Sequence, residues 1–148
     1  MSTYIRNRKV TFNYELLETF EAGVMLRGFE VKSIRAGKGK LDGAYVIVKD
    51  GEAFLVGASI TAFQPANTPK SYDPERPRKL LLSKKQLAKI EQQVDTARLT
   101  CVPVSLYNNN GKIKLEIALA RGKKKGDKRE SIKARDSKRD IERTLKNQ

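Results

Sequence analysis

The stretch from Arg121 to Gln148 constrains this chain more than any other feature, because it offers almost nothing to bury. Ile132, Ile141 and Leu145 are its only large apolar side chains, set among twelve Lys and Arg residues and five acids. The segment therefore carries a net +7, half of the chain's +14, in under a fifth of its length. Hydrophobic burial on that scale does not offset the entropy of ordering the backbone. The tail is expected to be disordered in isolation and to gain order only against a polyanion.

Residues 1–120 hold nineteen basic and twelve acidic residues, again a net +7. That length suits one domain with a modest core, so the chain divides into a folded body over 1–120 and a basic tail over 121–148. Positive charge on both parts points to nucleic acid, an anionic membrane or an acidic protein as partner. A membrane fits worst, since no apolar run approaches a spanning helix and the tail lacks an apolar face to lie on lipid. Residues 1–9 lack the apolar run of a secretory signal, and Cys101 is the only cysteine, so a cytoplasmic protein is expected.

The absence of histidine removes the commonest general base, and one thiol without a partner makes neither a Cys/His dyad nor a zinc site. Gly23 and Gly28 have the spacing of a phosphate loop, but Phe29 and Glu30 stand where Lys and Ser or Thr must follow. Glu18, Glu21 and Glu30 remain as carboxylates that could pair in space. Neither catalysis nor a cofactor or metal is expected.

Along the body, Met1 to Lys9 reads as a polar lead-in ending Arg6-Asn7-Arg8-Lys9. Tyr14 to Phe20 reads as a strand, Glu21-Ala22-Gly23 as a turn, and Val24 to Leu26 as a second strand. Val31 and Ile34 at i,i+3 predict a short helix over 28–35. Asp50-Gly51 between Ala44–Lys49 and Glu52–Val56 predicts a tight I′ hairpin. Four prolines make 63–77 a loop. Ser83 with Gln86 forms a capping box ahead of a helix over about 84–94. Leu99–Tyr107 and Lys112–Ala120 form a second hairpin around Asn108 to Gly111, its second strand alternating apolar and charged residues. The fold expected is mainly β with short helices, an antiparallel barrel of the oligonucleotide-binding kind.

Wound as a helix, Lys128, Arg135, Arg139, Arg143 and Lys146 share an arc of about 80°. Like charges at i,i+4 repel along that row, and phosphate reverses the sign of the effect. The plainer alternative is a solvated, solubilising tail. Readers of single-stranded RNA pair cations with aromatic rings, and Tyr14, Phe29 and Tyr72 sit near basic residues. Each serves equally well as core. Leu80-Leu81-Leu82 also reads as core.

GFEVKSIRAGK (28–38), DGEAFLVGASIT (50–61), RKLLLSKKQL (78–87) and GKKKGDKRE (122–130), in that order, resemble the SsrA-binding protein family, small protein B. The likeness runs from about Asn7 to the end. It implies a non-enzymatic bacterial adaptor that grips the elbow and D-loop side of the tRNA-like domain of transfer-messenger RNA. It also implies delivery of that RNA to the empty A site of stalled ribosomes. Asn7, Glu21 and Leu81 would then lie on the RNA-binding face, with Arg121, Gly122, Lys123 and Lys124 as a second basic element; charge adds Lys32 and Arg35. Asp127, Lys128 and Arg129 match the family's DKR motif, and the tail beyond would turn helical in the vacant message channel beside small-subunit RNA. Elongation factor Tu and alanyl-tRNA synthetase would be indirect partners through the shared RNA, with the protein a monomer. Gly126 departs from the aromatic or histidine that often precedes DKR, and Thr144 beside Leu145 leaves one member of an apolar pair. The other readings open at this point are a general RNA chaperone or ribosome-associated structural protein, and an RNA-modifying enzyme.

Overall fold

Two dipeptides with left-handed backbones set the register of the two long hairpins. Asp50 and Gly51 have φ of 52° and 74°, and Asn110 and Gly111 have 53° and 80°. Adjacent positive φ angles are what a I′ turn needs, and Asp, Asn and Gly tolerate them best. In the computed structural model, which describes residues 2–62 and 68–123, these turns join β4 (Tyr45–Lys49) to β5 (Glu52–Val56) and β8 (Thr100–Asn109) to β9 (Lys112–Gly122).

The remaining strands are β1 (Thr3–Arg6), β2 (Tyr14–Val24), β3 (Gly39–Lys40), β6 (Ser59–Ile60) and β7 (Arg78–Leu81). The strands β4, β5, β7, β2, β9 and β8 pair in that order, and β8 pairs back onto β4 through Cys101 and Val46. The ring is thus a closed antiparallel barrel, which leaves few open edges for stray pairing. β1 lies on β8 beyond the point where β4 departs, pairing Thr3 with Tyr107 and Arg6 with Ser105. Strands β3 and β6 pair as a separate small ribbon.

The barrel interior is filled by Ala22, Leu55, Leu80, Leu106, Leu115, Ile117 and Leu119, with Ile34 from α2 (Gly28–Arg35) and Ile90 from α3 (Lys84–Thr96) joining them. Ser83 Oγ accepts from Gln86 N at 3.2 Å, and Gln86 returns the bond to Ser83 N, so the capping box forms as expected. Cys101 and Leu106 both face this core although they are five positions apart, an odd offset that strict alternation would put on opposite faces. A bulge between Pro103 and Ser105 supplies the extra residue that restores the phase. Val102 and Ala120 consequently face outward, where Val10 of α1 (Val10–Asn13) covers them. Burial pushes the Cys101 thiol up to about 12, so it stays protonated.

Four expectations need correction. Glu21-Ala22-Gly23 is not a turn, because β2 runs unbroken to Val24. Gly23 is small for a different reason: a Cβ there would stand 3.1 Å from Leu81 Cβ on the neighbouring strand. The lead-in contains β1, whose Ile5 enters the core between exposed Thr3 and Arg6. Leu80-Leu81-Leu82 splits by strand alternation, with Leu80 buried and Leu81 54% exposed. β9 continues through Arg121 and Gly122, two residues beyond the expected end at Ala120.

Candidate nucleic-acid interface

The outer face of β2, β8 and β9 holds the first cluster. Glu21 projects outward from β2, where Tyr107 Oη donates to its Oε2 at 2.5 Å and Asn109 Nδ2 donates to both oxygens at 3.1 and 3.2 Å. Burial and the adjacent carboxylate both push the Tyr107 phenol well above its ordinary value, so it remains a donor. A carboxylate has about four acceptor sites. Three are occupied here by neutral donors, which fix the side chain while leaving its charge in place and room for a further N–H. A groove of about 460 Å³ lies against Glu21, lined also by Phe20, Tyr107 and Thr3.

Leu81 stands on the next stretch of the same wall. Its strand pairs with β2 so that Leu81 faces Gly23, and Gly23 in turn faces Lys114 of β9. The leucine leans over the bare glycine and borders a groove of about 350 Å³ shared with Arg35, Lys112 and Lys114. Arg35 reaches there from the last turn of α2, its Nη2 donating to Gly111 O at 3.2 Å. Lys32, three residues earlier on α2, is exposed. An apolar side chain ringed by three cations suits a nucleotide, whose base takes the apolar contact and whose phosphate takes the charge.

Asn7 does not join that cluster. It is 7% exposed, with its Nδ2 donating to Pro103 O at 2.9 Å and its backbone N–H to Val104 O at 2.8 Å, so it holds the β8 bulge. Asn7 instead borders a groove of about 310 Å³ with Asn13, Gly122 and Lys123. Lys123 N donates to Asn13 O at 2.9 Å, fixing the exit of β9. Arg121 lies 3.8 Å from Glu15, both highly exposed. The eight steps along β9 from Lys114 to Gly122 put this groove about 26 Å from the Leu81 groove. Lys124, Asp127, Lys128, Arg129, Arg135, Arg139, Arg143 and Lys146, with the helix expected on them, lie outside the described residues.

The largest polar constellation escaped sequence reasoning. Glu30 on α2 and Arg78 on β7 are both fully buried. Arg78 Nε and Nη2 donate to Glu30 Oε2 at 3.0 and 2.7 Å, and Arg76 donates to the same carboxylate through Nε at 3.2 Å and through Nη2. Arg27 N–H donates to Glu30 Oε1 at 2.8 Å. Tyr72 Oη accepts from Arg78 and donates to Ile60 O at 2.8 Å, with Glu30 Oε2 at 3.1 Å. Arg78 also donates to Ala58 O and Pro74 O at 2.9 and 2.8 Å. Burial pulls the Glu30 pKa upward, but the bonds from Arg76, Arg27 N–H and Arg78, with the Arg78 charge, outweigh it and hold the carboxyl below its ordinary value. Glu30 therefore pairs with arginines and not with Glu18 or Glu21. Tyr72 is committed here too, its ring edge-on to Phe29 with centroids 4.7 Å apart. These two aromatics are structural and not open platforms for bases. The signal available in sequence was Arg78 beginning an apolar strand, Arg78-Lys79-Leu80-Leu81, where alternation with Leu80 places its side chain on the buried face and so calls for an acid partner.

Among the described residues no cluster of His, Cys, Asp and Glu is arranged to hold a metal, and no helix is long and apolar enough to cross a membrane. The SmpB protein family model matches residues 4–147. The chain is 50% identical to the SsrA-binding protein of Alcanivorax borkumensis and 48% identical to that of Pseudomonas entomophila, each match covering 98% of this chain and 91% of that protein. The SsrA-binding protein of Trichormus variabilis is 46% identical over 95% of this chain. A chain of the solved structure "tmRNA-SmpB: a journey to the center of the bacterial ribosome" is similar with a TM-score of 0.68 and 40% identity, covering 86% of this chain and 93% of that one. Since the match takes in every strand of the barrel and the tail as well, the chain belongs to the SmpB protein family.

Proposed function

We propose that this protein binds the tRNA-like domain of transfer-messenger RNA and carries it to the empty A site of stalled ribosomes in trans-translation. The observation that carries the reading is Leu81, an exposed leucine over a bare glycine among Arg35, Lys112 and Lys114, on a chain of the SmpB family. Lys32 adds a phosphate contact from α2. Glu21 takes a base amino group on its remaining acceptor site. Asn7 acts by shaping the Gly122 and Lys123 groove, from which Lys124 and the DKR residues Asp127, Lys128 and Arg129 continue the basic path. The tail, with Arg135, Arg139, Arg143 and Lys146, reads the vacant message channel of the small subunit. The body, over 1–120, captures RNA, and the segment 121–148 engages the ribosome.

The work is complementarity of shape and charge, with no bond made or broken. The protein acts as a cytoplasmic monomer, and elongation factor Tu and alanyl-tRNA synthetase meet it through the shared RNA. Crosslinking in cells followed by sequencing of the attached RNA tests the partner: transfer-messenger RNA is expected to dominate. A broad spread of transcripts would favour a general RNA chaperone. Ending the chain after Gly126 is expected to spare RNA capture and abolish tagging on stalled ribosomes. Leu81→Ala is expected to weaken RNA capture about tenfold while stability moves by no more than about 0.5 kcal/mol.

A further inference from the structure

A fourth groove, beside β1, is built from cations that no described residue pairs with. Arg6 and Arg8 border it on one side and Lys40 of β3 on the other, around a volume of about 490 Å³. Arg76, Arg78, Lys79, Lys89 and Arg121 all have acidic partners, whereas these three side chains make no ion pair with any described residue. Among the described residues Asp42 is the one acid on the rim, so they give the groove an excess of positive charge. Like charges gathered this way repel one another in the free protein, and an anion between them reverses the sign.

The groove is built by close packing. A Cβ at Gly39 would come within 2.8 Å of Ile5 Cδ1 and 3.0 Å of Ser59 O. A side chain at residue 39 would have to push Ile5 and the β6 backbone aside, so glycine lets β3 pack closely there, and Lys40 and Arg6 border the same groove. Gly37, at φ +74°, turns the chain there from the end of α2.

The groove also joins the interface already described. Thr3 borders both this groove and the one against Glu21. Register carries the line further, since Leu81 faces Gly23, Gly23 faces Lys114, Lys114 faces Tyr107 and Tyr107 faces Thr3. Five adjacent strands at about 4.8 Å spacing make this an outward row of about 19 Å along the wall. Leu81 stands at one end, the Glu21 carboxylate midway, and the Arg6 groove at the other.

We propose that Arg6, Arg8 and Lys40 form a phosphate-backbone site for the RNA strand that crosses the Leu81 and Glu21 grooves. The proposal rests on the RNA-binding reading above and extends its footprint past β8. Its chemistry is positioning: guanidinium and ammonium groups meet phosphodiester oxygens, while base contacts remain with Leu81 and Glu21.

The test uses the full chain and the triple variant R6Q/R8Q/K40Q, titrated with an isolated tRNA-like domain and a same-length hairpin over a range of salt concentrations. The three positions are exposed, so the fold is expected to survive, and circular dichroism checks that it does. The variant is expected to bind about tenfold or more weakly near 0.1 M salt, with a log–log salt slope shallower by about 2. Its preference for the tRNA-like domain over the hairpin should persist. An unchanged slope with affinity within about twofold of wild type overturns the site. Wild-type protein that fails to prefer the tRNA-like domain overturns the function proposed above and leaves the slope comparison to decide the groove. Labelling of Lys40 by an amine-reactive reagent gives a measurement free of mutation: bound RNA should protect it several-fold, and equal labelling with and without RNA overturns the site.

Discussion

Glu30 and Glu21 begin and end one short stretch of chain, and the fold treats their carboxylates in opposite ways. Glu30 is sealed, with two guanidinium groups, a phenol and a backbone N–H around it. Glu21 is exposed and held only by the neutral donors Tyr107 and Asn109. The first arrangement cancels the charge and fixes α2, β7 and the segment before it to one another. The second fixes geometry without cancelling charge. Glu116 faces Glu21 across the β2–β9 pair and lines the same groove, so this part of the wall is locally acidic and favours a donor-bearing base edge over a phosphate. The difference teaches that charge alone does not separate a structural acid from a functional one; the charge of the partners does.

Glu30→Gln gives the largest expected break in that contrast. It leaves the Arg78 guanidinium buried without its counter-charge, a change that costs about 3–5 kcal/mol. Urea unfolding of the body should show the midpoint falling by that equivalent with an unchanged m-value. A loss under about 1 kcal/mol would mean that the buried network contributes little beyond what hydrophobic packing already supplies.

Acid provides the same comparison without mutation. Because the folded-state pKa of Glu30 lies below its ordinary value of 4.5, the stability it contributes is complete above that value. It is lost as the pH falls through the folded-state value, where native and unfolded chains bind the proton alike. Thermal midpoints measured downward from pH 6 should drop steeply below about 4.5 in the wild type, and more shallowly in Glu30→Gln. Parallel curves would remove Glu30 as the source.

Much of this was legible from local rules. Asp50-Gly51, the Ser83 capping box and the alternation from Ile113 to Leu119 are decided by neighbouring residues, and all three formed as read. So did the mainly β antiparallel barrel, since hairpins with one apolar face have few other ways to bury it; its closure through β8 and β4 came from the structure. What failed was decided at a distance. Gly23 was read as a turn residue because glycine permits turns, whereas its purpose is the approach of Leu81 from a strand more than fifty residues away. β1 was hidden by the basic run that follows it, although Ile5 alone was enough to dock it on β8. The Glu30 network joins three sequence segments, and no spacing rule connects residue 30 to residues 72, 76 and 78. At the interface, the motif likeness named Glu21 and Leu81, and the strand register showed why they share a wall. It named Asn7 as well, which the fold uses to hold a bulge at the opposite end of the barrel. The cationic groove of Arg6, Arg8 and Lys40 was invisible because β3 was not foreseen.

Glu21→Gln sharpens the comparison from the other side. The amide keeps an oxygen for Tyr107 and its shape, and the position is exposed, so unfolding free energy should move by less than about 1 kcal/mol. RNA capture should weaken about tenfold, the usual scale for losing one charge-assisted contact to a base. A variant that binds as tightly as wild type would show that Glu21 only anchors Tyr107 and Asn109, a structural acid like Glu30.

The smallest effect is expected where an ion pair has neither burial nor a ligand. Lys89 Nζ lies 2.7 Å from Glu18 Oε1, as short as the shortest Arg78 contact to Glu30, yet both side chains are more than 40% exposed. Water solvates each charge nearly as well as its partner does, and holding two long side chains in one geometry costs entropy. Such pairs contribute about 0.2–1 kcal/mol. Lys89→Met should therefore lower the unfolding free energy by no more than that, and the difference should shrink in about 1 M salt, where screening acts within about 3 Å. If Lys89→Met proved as damaging as Glu30→Gln, distance and not desolvation would set the strength of these pairs, and the distinction between the sealed carboxylate and the open one would lose its physical basis.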